Sequence, residues 1–198
     1  MYRKVIINIR LLTNMNIYEK CPILENDDYI LRLFKQEDLD GLLKVYSNKN
    51  VLPFINSDNC DGDNFYYFTK EKMQEVLGFW DMSYKKGWFV RFSIIDKKTQ
   101  NIIGSVELCK RVSNDEYNNM GILRVDTLKE NKESLLSVFS LITPHVEELM
   151  ECNGFITKAP IYAVDRIDVL KQLGYVKSDI ALVDKNNTMY YDYWKKIN

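Results

Sequence analysis

Residues 88–109 read WFVRFSIIDKKTQNIIGSVELC and residues 121–128 read GILRVDTL. Two β-rich runs flank a polar turn at 96–101, and a third run follows a polar insert, which predicts an antiparallel meander. Alternation sets Arg91 and Ser93 on one face of the first strand, and Ser105 and Glu107 on one face of the second. A hairpin that pairs Ile95 with Ile103 brings Arg91 opposite Glu107. Charges amid apolar strands are costly to bury unless both are satisfied, so this is either a structural ion pair or part of a site.

Working outward, YILRLF at 29–34 is strand-like, and Leu39, Leu42, Leu43 and Tyr46 recur at helical spacing. Residues 51–67 are rich in Asn, Asp, Pro and Gly and predict a long loop, of a length that in compact domains is usually functional or mobile. A helix through Met73, Val76, Leu77, Trp80 and Tyr84 stops at Gly87. On the C-terminal side, an apolar stripe from Leu135 to Leu149 is kinked or restarted at Thr143-Pro144 and closed by Gly154. FITKAP is a short strand, Val164, Ile167, Leu170 and Leu173 mark a helix ended by Gly174, and MYYDYWKK alternates as a final strand. The order β α α β β β α β α β β predicts a mixed α/β fold, one sheet with helices on both faces.

The 198 residues fit one domain that buries about 70% of its unfolded surface. The charges, 27 basic against 28 acidic, sum to −1, which creates no field for nucleic acid or an anionic membrane. Cys21, Cys60, Cys109 and Cys152 lack the paired spacing of zinc ligands and read as reduced thiols. Arg10 and Asn14 interrupt the start, so neither a signal peptide nor a membrane helix is expected, and the cytoplasm is the default location. Residues 1–20 read equally as an added strand, in which Val5, Ile7 and Ile9 alternate with Ile6 and Asn8, or as a loose extension.

In order and spacing, YILRLFKQEDLDGLLKVYSN, IIGSVEL, GILRVDTL and RIDVLKQLGY resemble the GNAT superfamily of acyl-CoA-dependent N-acetyltransferases, most nearly the branch that acetylates ribosomal-protein N-termini. The resemblance covers about residues 26–196, with 1–25 as an N-terminal extension to a domain at 26–198. It implies a twisted, mostly antiparallel sheet of roughly six to seven strands, splayed so that acetyl-CoA enters a V-shaped opening. The partners implied are acetyl-CoA as co-substrate and an amine acceptor; a homodimer stays open.

By that resemblance the cofactor meets Leu123, Arg124 and Val125 on the strand and Lys129, Asn131, Lys132, Glu133 and Ser134 at the next helix. The family's glycine-rich phosphate turn is replaced by TLKENKESL, so ordinary N–H groups must do its work, helped by Lys129 and Lys132 and opposed by Glu130 and Glu133. A bulge near 123–125 is expected to expose amides for the oxyanion. The family's tyrosine that protonates the leaving thiolate falls on Leu170, and the branch's Asn and Ser fall on Ala163 and Arg166, so no role carries over there.

Glu107 is the candidate base, with a structural pair to Arg91 as the plainer alternative. Tyr190 and Tyr191 point to opposite faces of the last strand, and either protonates sulfur or both simply pack. Asn56, Ser57, Asp58 and Arg91 are the acceptor-side candidates; the acidic 56–64 loop attracts a cationic amine or is merely solvated, and lacks the ligand pattern of a calcium loop. Asp126 is expected to pair with Arg124, and His145, the one histidine, to be exposed or capping. Two functions follow: an acetyltransferase acting on a primary amine, or a module of the same fold that has lost turnover.

Overall fold

The computed structural model describes residues 16–197, and the alternation at Val5, Ile7 and Ile9 lies outside them. Among the described residues the main sheet has eight strands. β1 (Leu24–Glu25), β2 (Tyr29–Leu33), β3 (Val90–Asp96), β4 (Ile102–Lys110) and β5 (Gly121–Thr127) run in that order, each antiparallel to the last. β6 (Phe155–Lys158) is parallel to β5, and β10 (Tyr193–Lys196) and then β7 (Val176–Lys177) complete it. The extra width over the sequence expectation comes from the two-residue edge strands β1 and β7. A separate hairpin pairs β8 (Leu182–Val183) with β9 (Met189–Tyr190).

Helices cover both faces. α1 (Leu39–Tyr46) and α2 (Lys70–Lys85) enclose a core of Leu42, Val45, Tyr46, Met73, Leu77 and Trp80. α3 (Lys132–Ile142), α4 (Val146–Met150) and α5 (Val164–Gln172) enclose the larger core built on Phe92, Val106, Leu123, Val138, Phe139 and Val169. Thr69 caps α2 by accepting from the Lys72 N–H at 3.2 Å, and Asn131 caps α3 by accepting from Ser134 at 3.0 Å. Ile17 is buried in the larger core and β1 pairs with β2, so the stretch just before residue 26 packs with the sheet.

The meander holds Arg91 opposite Glu107, but not by the pairing of Ile95 with Ile103. Ile95 pairs with Ile102, and the register shifts between Ile94 and Ile95, which confines the slip to the turn end. Next to it Gly104 is required by proximity: a Cβ there would lie 2.2 Å from the Asp126 carbonyl oxygen.

Three other expectations need correction. α4 ends at Glu151, which takes the left-handed conformation at φ 48°, before Gly154 is reached. His145 is buried, and burial lowers its pKa. The tail is two strands, because Asp192 adopts φ 66° and breaks the alternation between β9 and β10.

Candidate active site

The register of β3, β4 and β5 lays Arg91, Glu107 and Arg124 in one row across the sheet. All three are buried, at 2%, 3% and 8% exposure. One carboxylate oxygen of Glu107 accepts from Arg91 and the other from Arg124. Burial alone would raise the Glu107 pKa, but the two guanidiniums outweigh it and hold the carboxyl below its usual range. A carboxylate held this way is a weak base, and its lone pairs are already engaged.

The next row on the same face is Ser93, Ser105 and Asp126. Arg91 also reaches into this row, donating to the Tyr46 hydroxyl at 2.6 Å, Ser105 Oγ at 3.1 Å and Asp126 Oδ2 at 3.2 Å. Tyr46 in turn donates to Asp126 at 2.8 Å. Asp126 therefore pairs with Arg91 across the sheet rather than with Arg124, whose side chain points along the other row. Burial raises the Asp126 pKa despite Arg91. The Arg91 guanidinium lies 4.4 Å from the Trp80 ring centroid, so α2 supplies a face that favours a cation.

A cavity of about 620 Å³ opens over the first row, with Arg91, Glu107 and Arg124 in its wall. Trp80, Phe79, Phe89 and Phe65 give it an aromatic side, and its edge mixes Asp61, Asp63 and Glu75 with Lys72, Lys110 and Arg111. Cys60 and Cys109 also line it, and burial raises both thiols, Cys109 to about 12, so neither is a ready thiolate.

The 56–64 loop is tied down across the sheet. The Asp58 carbonyl accepts from Arg124 on β5 at 3.0 Å, and its carboxylate accepts from Lys158 on β6 at 2.5 Å and from the Tyr193 hydroxyl on β10 at 3.1 Å. Asn56, buried, receives the Asp58 N–H at 3.1 Å and donates to Tyr193 at 3.5 Å. Ser57 between them is half-buried. Among the described residues no cluster of three or more His, Cys, Asp or Glu could hold a metal.

Beneath this strap β5 and β6 part. They pair only at Gly121 with Phe155 and Ile122 with Ile156. Gly121 donates to Gly154 on the β6 side and Leu128 donates to Ile103 on β4, so by alternation the backbone groups of Val125 and Thr127 face the gap. β5 pairs with β4 in continuous register from Gly121 to Thr127, so the bulge expected at 123–125 does not form; the strand edge itself presents the amides. Of the expected phosphate contacts, Asn131, Lys132 and Glu133 are exposed at the start of α3 and Ser134 is half-buried. Lys129 is turned away, bound to Asp96 at 2.6 Å beside the Tyr29 ring, and Lys132 bonds Asp168 of α5 at 3.1 Å.

Tyr190 and Tyr191 do not join this site through the main sheet. Tyr190 belongs to the β8–β9 hairpin and donates to Asp184 at 3.2 Å, and Tyr191 is 57% exposed with its hydroxyl on Met189 Sδ. Tyr193 is the buried tyrosine at the gap, displaced from the sequence reading by the break at Asp192. Glu107, Arg91, Arg124, Asn56 and Asp58 do converge; Tyr46, Ser105 and Lys158 join them without having been legible as site residues in the sequence.

A sheet that splays between parallel β5 and β6, with helices on both faces, is the fold of the GNAT acetyltransferases. Solved structures with this fold match most of the chain. One is a candidate ribosomal-protein-serine acetyltransferase from Vibrio cholerae, with TM-score 0.67 and 11% identity over 93% of this chain and 100% of that one. Another is the ribosomal-protein-S5-alanine acetyltransferase from Vibrio fischeri, with TM-score 0.64 and 18% identity over 89% and 97%. A third is the spermidine N-acetyltransferase from Vibrio cholerae in complex with CoA and spermine, with TM-score 0.59 and 13% identity over 86% and 92%. No family model and no curated protein matches the sequence. Among the described residues no helix is long and apolar enough to cross a membrane.

Proposed function

We propose that the protein transfers an acetyl group from acetyl-CoA, as co-substrate, to a primary amine, either a protein N-terminus or a small amine, by direct transfer in a ternary complex. The observation that carries this is the parting of β5 and β6 after two residue pairs, which leaves Val125 and Thr127 facing the gap. Val125's carbonyl already accepts a donor at 2.9 Å, so it can serve the amide of a thioester arm in the same way. The 620 Å³ cavity walled by Arg124 offers the amine its approach along the aromatic side of Trp80, Phe79, Phe89 and Phe65.

An α-amine has a pKa near 8 and a lysine near 10.4, so an α-amine is partly unprotonated at neutral pH and asks least of a base. That matches a site whose central carboxylate is neutralised. Glu107 acts here as the anion that fixes Arg91 and Arg124. Tyr193 takes the role of proton donor to the leaving thiolate, because its hydroxyl bonds Asp58, the residue that Arg124 on β5 and Lys158 on β6 hold across the gap.

A second reading is favoured by a specific observation: the turn at 128–131 has no glycine, and buried Arg166, paired with half-buried Glu130, reaches the Val125 carbonyl at the gap. A module of this fold without turnover would look the same. Titration calorimetry with acetyl-CoA followed by thiol-release assays against an amine library separates the two. Binding with release supports transfer, binding without release supports the module, and no binding at millimolar acetyl-CoA refutes both.

A further inference from the structure

The Arg166 side chain is 2% exposed although it stands at the open end of the gap between β5 and β6. It reaches from α5 to donate to the Val125 carbonyl at 2.9 Å, and it forks onto both oxygens of Glu130, with Nε at 3.3 Å from one of them. Glu130 lies in the connection between β5 and α3, and the pair lines a cavity of about 260 Å³ together with Phe54, Tyr162 and Asp165. The guanidinium thus holds the strand carbonyl that a thioester arm needs. The carboxylate meanwhile places a negative charge where that ligand's phosphates would approach.

A guanidinium forked onto a carboxylate has the geometry to fork onto a phosphate, and a phosphate ester carries more negative charge. We propose that Arg166 is the phosphate-recognising residue of this chain, and that Glu130 is an internal stand-in for the phosphate, holding the guanidinium in the gap until a phosphate ester displaces it. The proposal rests on the acyl-CoA reading above. One exchange then does two things: Arg166 trades Glu130 for phosphate, and Val125 is released to pair with the arm. Glu130 has a route outward, since its side chain is 14% exposed and borders the cavity. An arginine on α5 would in this way replace the backbone cradle that residues 128–131, without glycine, do not form.

Calorimetry with CoA and with pantetheine, which has the arm but no phosphate, tests this on the wild type, Arg166→Gln, Glu130→Gln and the double variant. Arg166→Gln should weaken CoA by about tenfold or more while leaving pantetheine unchanged or tighter, and Glu130→Gln should tighten CoA by about tenfold. The double variant carries no stranded charge, so it guards against misfolding, and it should bind CoA as weakly as Arg166→Gln. If Arg166→Gln tightens CoA, the residue is only a stopper and the proposal fails. Equal CoA affinity in all four proteins also overturns it while sparing the acyl-CoA reading. CoA binding by none of the four overturns that reading, and this proposal with it.

Discussion

Glu107→Gln tests what the central carboxylate does. The substitution keeps the shape and one acceptor oxygen but removes the charge shared by two buried guanidiniums. Arg91 would keep Asp126 and the Tyr46 hydroxyl, whereas Arg124 would keep only the Asp58 carbonyl, so Arg124 is the group left stranded. Breaking a buried pair from one side costs about 3–5 kcal/mol. In a domain of this size each kcal/mol lowers the melting temperature by about 2–4 °C, so the expected loss is roughly 6–20 °C. Replacing Arg124 by Met in the same protein should recover much of it, because the stranded charge is then gone. The effect has a pH signature. The folded-state pKa of Glu107 is depressed, so its contribution is present above the unfolded pKa, near 4.3, and disappears as pH falls through the folded value. Urea unfolding of both proteins between neutral pH and about pH 3 should show a gap that narrows in acid. A variant that melts like the wild type but turns over about a hundredfold more slowly would refute this reasoning and restore Glu107 as the general base.

Tyr193→Phe removes the hydroxyl at the gap and should lower turnover by about tenfold to a hundredfold with acetyl-CoA affinity little changed; unchanged turnover would remove it from the chemistry. Gly104→Ala drives a Cβ against the Asp126 carbonyl, at 2.2 Å, and against Thr127 Cα, at 2.9 Å, neither of which is a flexible side chain. It should cost about 1–3 kcal/mol or more in urea unfolding. Burial opposes ionisation of Asp115, but the Arg111 guanidinium and the Ser113 hydroxyl hold it down to about 2. Its contribution is therefore present above about pH 4 and lost towards pH 2, and Asp115→Asn should flatten that part of the stability profile.

The meander and its facing charges were legible because strand alternation acts at every residue, so a bulge at Ile103 could move the turn without moving Arg91 off Glu107. Helix positions were legible from apolar spacing. The tail was not: alternation assumes extended backbone throughout, and Asp192 in the left-handed region resets the faces, which exchanges Tyr193 for Tyr190 and Tyr191. No family role falls on Arg166, although an arginine on a helix face otherwise set by Val169 and Leu170 is an anomaly in polarity. The pairing of Asp126 with Arg91 was not legible either. The choice depends on Tyr46, which arrives from α1, 80 residues away in sequence, and steers both Asp126 and Arg91.

The two-pair seam between β5 and β6 also predicts how the sheet breathes. Residues 24–127 supply one leaf and residues 155–196 the other, and the leaves share ladder hydrogen bonds only at the Gly121 end. Amide hydrogen exchange along β5 should alternate: Arg124, Asp126 and Leu128, turned towards β4, exchange slowly, while Val125 and Thr127, turned to the gap, exchange fast. An arm seated in the gap would supply the missing strand and erase the alternation. The protection pattern of a single strand would then report occupancy without any chemistry taking place.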